Sequence, residues 1–148
     1  MGCDSSEFAI EKSKVNATLN NLHSIAFTCA DAFAVLTATI EEKKKYDLVI
    51  IDPPSFTKNK KTVATAAKGY KELNTNALKI LTEGGILATA SCSHHISEET
   101  FLNIINDSAV KAGRKVRLLR FGGAAADHPT LPAMPETKYL KFALLSVE

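Results

Sequence analysis

Residues 46–56 read YDLVIIDPPSF. From Tyr46 to Ile51 the run is almost wholly apolar and rich in β-branched side chains, which predicts a strand buried on both faces in a parallel sheet. The run stops at Asp52, and Pro53 and Pro54 follow at once. Proline lacks the N–H that a sheet ladder needs and holds its predecessor extended, so the chain leaves the sheet here. The Asp52 carboxylate is thereby placed at the carboxyl edge of a central strand, where open α/β sheets bind ligands. On pattern alone, a strand-ending aspartate with a proline turn accounts for the same residues.

Upstream, Met1–Asp4 reads as the end of a strand, and Ser5 or Ser6 can cap the helix that follows. That helix is expected over about 7–21, with Phe8, Ala9, Val15, Leu19 and Leu22 supplying its apolar side. A short strand at 25–29 and a helix at about 32–44, carrying Phe33, Leu36 and Ile40 on one face, lead into the central strand. Downstream, residues 57–61 form a polar, lysine-rich loop. A long helix is expected over about 63–82, stopped by Gly84 and Gly85. A strand at 86–91 then delivers Ser91-Cys92-Ser93-His94-His95 to its carboxyl end. A helix at 96–112 has Ser97 as its N-cap and Gly113 as its stop. A strand at 115–121, an irregular loop at 122–135 and a last strand at 139–147 complete the chain. This alternation predicts one α/β domain over 1–148, a doubly wound and mostly parallel sheet with one antiparallel pair at its end.

The totals fit that class. The chain has 148 residues, enough for a real core, and 45% of them are hydrophobic. A net charge of +2 is too small by itself to argue for nucleic acid, although lysines gather at 43–45 and at Lys58, Lys60 and Lys61. Three cysteines without regular spacing, Cys3, Cys29 and Cys92, fit a reduced, cytoplasmic protein. No apolar run approaches the roughly 20 residues of a membrane span, and no signal peptide is read at the start.

Several residues carry chemistry. Asp4 ends a strand before a helix, the position from which an acid contacts ribose hydroxyls in nucleotide-binding folds, or caps the helix. Asp31 has the same two readings. Cys92 is at the carboxyl end of a strand, where a small inert core residue is the ordinary reading. Its polar neighbours and the helix start at Ile96–Ser97 favour instead a reactive thiolate facing the same crevice as Asp52. A metal site on Cys92, His94 and His95 does not match the spacing of structural zinc sites. Lys58, Lys60 and Lys61, with Arg114, Arg117 and Arg120, are able to meet phosphates or simply to be solvated. Phe56 either stacks on a base or plugs its loop.

The segments DSS (4–6), NATLNNL (16–22), DPPSF (52–56), KGYKELN (68–74), GGIL (84–87), SCSHH (91–95) and DHPTLPAMPETKYLK (127–141) form a recognisable set. With them the chain resembles the class I S-adenosylmethionine-dependent methyltransferases. Within these it resembles the bacterial large-subunit (23S) ribosomal RNA cytosine-C5 methyltransferases that carry an N-terminal PUA domain. The resemblance implies S-adenosyl-L-methionine as cofactor, with Asp4 and Ser5 at its ribose, Asp31 at its adenine, and Asp52 and Pro53 completing the pocket. It implies Cys92 as the nucleophile that adds to carbon 6 of a flipped-out cytosine. Asp52 grips the polar edge of the base, and Pro54, Phe56, Lys58, Lys60 and His94 lie on the substrate side. Related cytosine enzymes place a second cysteine after the Asp-Pro corner. Here Pro54-Ser55-Phe56 stands there, so Cys92 acts alone.

The chain departs from the pattern at its start, where the PUA domain and the first strand with its glycine-rich turn have no counterpart. That strand lies between the second and fourth strands of the family's sheet. The expectation is therefore a partial domain that closes its sheet without the strand or pairs its edges with another copy, and that binds cofactor weakly if at all. Two further readings remain. One is methylation of a base amino group or guanine nitrogen, which needs the Asp-Pro-Pro corner but no thiol. The other is a non-catalytic RNA-binding or oligomerising module.

Overall fold

The structure is a computed structural model that describes residues 1–57 and 62–148. Strands and helices alternate as β1 (Gly2–Asp4), α1 (Glu7–Leu19), β2 (Phe27–Cys29), α2 (Ala32–Glu41), β3 (Tyr46–Ile51), α3 (Val63–Ile80), β4 (Leu81–Ser91), α4 (Glu98–Ala112), β5 (Val116–Gly122) and β6 (Lys141–Val147). The expected order is met, and β3 has the bounds that its apolar run dictates. Among the described residues no helix is long and apolar enough to cross a membrane.

The sheet does not close. β1 pairs in parallel with β2 alone, and a separate four-stranded sheet runs β3-β4-β6-β5, with β3–β4 parallel and β6 antiparallel to both neighbours. Between β1 and β3 lies a cleft of about 870 Å³, lined by Met1, Cys3 and Asp4 on one side and by Leu48, Ile50 and Asp52 on the other. This corrects the expectation that β3 is buried on both faces. Leu48 is 53% and Ile50 67% exposed, because β3 is an edge strand and, among the described residues, no element covers this face.

The core is built where β4 is flanked on both sides. Leu87, Thr89 and Ser91 of β4 and Ala143 of β6 are fully buried. Against them pack α3 and α4, whose apolar stripes at helical spacing include Tyr70, Leu73, Ala77, Phe101 and Ile105. Each large side chain buried this way stabilises the fold by about 1.5–3 kcal/mol. The expected apolar side of α1 is corrected too. Phe8, Val15, Leu19 and Leu22 are exposed and Ile10 and Ala17 are the buried residues of the helix, because α1 packs by one side on the small β1–β2 sheet.

One boundary differs for a local reason. The glycine pair does not stop α3; the helix ends at Ile80, and fully buried Leu81 turns extended and already belongs to β4. Tyr46 pairs with Leu81 and Leu48 with Ile86, so residues 82–85 bulge opposite Asp47, with Gly84 in the left-handed region at φ 76°. Gly113 does end α4 as expected, at φ 67°, and Ser97 caps its start on Thr100 N–H at 3.1 Å.

Candidate active site

Parallel pairing puts the carboxyl ends of β3 and β4 side by side, with Ile51 opposite Thr89. The proline corner and the cysteine turn are the next residues of each strand, so they meet. The Cys92 Sγ stands 4.0 Å from the Pro53 carbonyl oxygen and is half-buried. Ser55 Oγ and Ser93 Oγ are 2.9 Å apart, and Tyr70 Oη lies 2.8 Å from the same Ser93 Oγ. Tyr70 and Ser93 are fully buried and Ser55 is exposed, so the hydroxyl network that joins the two loops runs from the surface into the core, where its Tyr70–Ser93 bond is strong.

The Ser93 carbonyl is held as well. Lys141, the first residue of β6, donates from Nζ to it at 2.6 Å and to the Tyr139 carbonyl at 2.7 Å. Burial pushes the Lys141 ammonium below its ordinary 10.5, opposed by the nearby Cys92 and Glu98. Sequence reasoning quoted Tyr70, Ser93 and Lys141 within motifs but gave them no part in the site. Their spacing carries no sign that they converge, since 48 residues separate Ser93 from Lys141.

Asp52, Pro53, Pro54 and Phe56 line the cleft together with Asp4, Ser5 and Asp31. Asp4 Oδ1 accepts the Ser6 N–H at 2.8 Å and Asp31 Oδ1 accepts the Ala34 N–H at 3.0 Å, so both acids steady helix starts and still face the cleft. Phe56 packs its ring on Tyr70 at 4.8 Å and Phe33 at 6.3 Å, and a side chain on Gly69 would approach it to 3.2 Å. The ring is thus seated in the protein. His94 is exposed and lies edge-on to His95 at 5.4 Å, beyond Cys92. Lys58 and Lys60 lie outside the described residues. Arg114 donates to the Leu81 and Thr82 carbonyls, and Arg117 pairs with Glu148, so these two cations serve the fold.

A family model described as a methyltransferase domain matches residues 1–127. The chain is 41% identical over 140 residues to ribosomal RNA large subunit methyltransferase I of Serratia proteamaculans, covering 93% of this chain and 35% of that protein. The same enzyme of Citrobacter koseri is 39% identical over the same extents. The chain therefore spans about a third of the length of these curated relatives. Among solved structures, a protein described as a methyltransferase and complexed with SAH superposes with a TM-score of 0.83 at 23% identity, over 97% of this chain and 38% of that one. NSun6 from Pyrococcus horikoshii follows at 0.67 and 18%, over 97% and 40%. These likenesses establish a Rossmann-like α/β fold.

Proposed function

The chain belongs to the methyltransferase-domain family, and from that premise we propose that it is the catalytic part of an enzyme that methylates carbon 5 of a cytosine in large-subunit (23S) ribosomal RNA. The observation that carries this reading is the meeting of Cys92 with the Asp52–Pro54 corner at adjacent strand ends. A cytosine C5 enzyme needs a thiol and a polar grip on the base in one place. The naming of these relatives as ribosomal RNA methyltransferases supports the RNA substrate. Such an enzyme works in the cytoplasm.

The residues present fit S-adenosyl-L-methionine. Asp4 and Asp31 stand at the carboxyl ends of neighbouring parallel strands, each with one oxygen engaged among the described residues. Their carboxylates suit ribose hydroxyls and the adenine amino group, with Ser5 and Pro53 beside them on the cleft. When bound, the cofactor supplies an electrophilic methyl group on a sulfonium. In the proposed reaction the Cys92 thiolate forms a bond to carbon 6, which turns carbon 5 into an enamine-like nucleophile. Asp52 passes a proton to ring nitrogen 3, neutralising the negative charge that the addition places there, and takes it back when the thiolate leaves. Once carbon 5 carries the methyl group, solvent water takes its proton, the electron pair of that C–H bond re-forms the double bond to carbon 6, and the bond from carbon 6 to sulfur breaks to release the Cys92 thiolate. Pro54 and His94 are assigned to RNA contact, and Lys58 and Lys60 are assigned to it on their charge alone, whereas Phe56 packs inward on Tyr70 and Phe33 and backs the corner.

The test is Cys92→Ala in a full-length enzyme of this family. Methyl transfer to RNA is expected to disappear while RNA binding persists. Full activity would overturn the nucleophile and favour methylation of a base amino group or guanine nitrogen. The open edges of β1 and β3 favour a second reading, in which copies of the chain also associate edge to edge.

A further inference from the structure

Lys141 is only 4% exposed, yet among the described residues no carboxylate lies within salt-bridge range of it. A buried cation without a counter-charge is costly, and an apolar side chain of similar volume would fill the site without that cost. What the ammonium holds is specific. One bond goes to the Ser93 carbonyl in the turn after β4 and one to the Tyr139 carbonyl before β6. Lys141 is also the ladder partner of Ser91. Cys92 therefore lies between Ser91, fixed by the ladder, and Ser93, held at its carbonyl by Lys141 and at its hydroxyl by Tyr70 and Ser55. Both flanking serines are fully buried, and only Cys92 of the three reaches the surface. The titratable groups that face the ammonium are Cys92 itself and Glu98.

We propose that Lys141 is a positioning residue of the Cys92 turn, which through the Ser93 carbonyl sets where the thiol stands against the Asp52–Pro54 corner. The inference rests on the reading of Cys92 as nucleophile, but its test does not need turnover. The alkylation rate of each cysteine by iodoacetamide is measured by peptide mass spectrometry on this chain, with Cys3 and Cys29 as internal references. In Lys141→Met, Cys92 is expected to react about tenfold more slowly at neutral pH, since the turn that presents its thiol at the surface is no longer held. Cys3 and Cys29 keep their rates, and Lys141→Arg stays nearer to wild type than Lys141→Met does. An unchanged Cys92 rate in a folded Lys141→Met protein overturns the proposal, as does an arginine variant as slow as the methionine one. Should Lys141→Met unfold, seen as a common rise at all three cysteines, Lys141→Gln is read in its place. Slowing at Cys92 alone then supports the proposal; an unchanged rate, or unfolding of this variant as well, overturns it. Failure of the nucleophile reading appears separately, as activity in Cys92→Ala.

Discussion

At Cys3 the thiol donates to the Ala30 carbonyl at 3.3 Å, and burial raises its pKa above the ordinary 9.0. The folded chain thus keeps a proton there that the unfolded chain gives up. The stability this confers is complete below pH 9.0 and is lost as pH rises through the folded-state value. Urea midpoints of wild type and Cys3→Ala, followed from about pH 8 to about pH 10, are expected to converge as the wild type loses this term. A constant gap would show that Cys3 does not titrate differently on folding. Single residues were legible in the sequence where their local neighbours decide their state. Asp4, Asp31 and Asp52 fall at strand ends because strands stop at capping residues and prolines. Lys141 was not legible, since its state depends on the Ser93 carbonyl, brought by a segment 48 residues away.

At the scale of elements, β3 combines a sequence that demands burial with a position that leaves it on an edge. Leu48 and Ile50 face outward on an edge strand that pairs with β4 on one side, and such an edge invites pairing with another chain. Sedimentation of this chain is expected to reveal concentration-dependent association. Ile50→Lys is expected to make it monomeric while changing stability by no more than about 0.5 kcal/mol, because the side chain is already exposed. A wild-type chain that stays monomeric at high concentration would remove the edge-to-edge reading. The junction of α3 and β4 makes the opposite point. The glycine pair suggested a helix stop, but Leu81 had already been drawn into the core, and the glycines were left to form a bulge.

For the whole molecule, the cleft between β1 and β3 decides how the site works. The acids proposed for the cofactor line the cleft, but among the described residues no ladder joins the two sheets that carry them. We expect calorimetric titration of S-adenosylhomocysteine into this chain to give a Kd weaker than about 100 μM, a binding free energy smaller than about 5.5 kcal/mol. Micromolar binding would instead mean that Asp4, Asp31 and the 52–56 corner suffice without a strand between them.

The sequence by itself determined the order of elements, the strand-ending acids, the caps Ser97 and Gly113, and the pairing of an Asp-Pro-Pro corner with a cysteine turn. All of these depend on interactions within a few residues, or on the alternation that forces strands to lie parallel. Only the tertiary structure decided which apolar faces are buried, that the sheet divides at β3, and that Ser93 is gripped at once by Tyr70, Ser55 and Lys141. Burial and long-range hydrogen bonds depend on which segments become neighbours. An apolar residue records that it favours burial, not whether anything arrives to cover it.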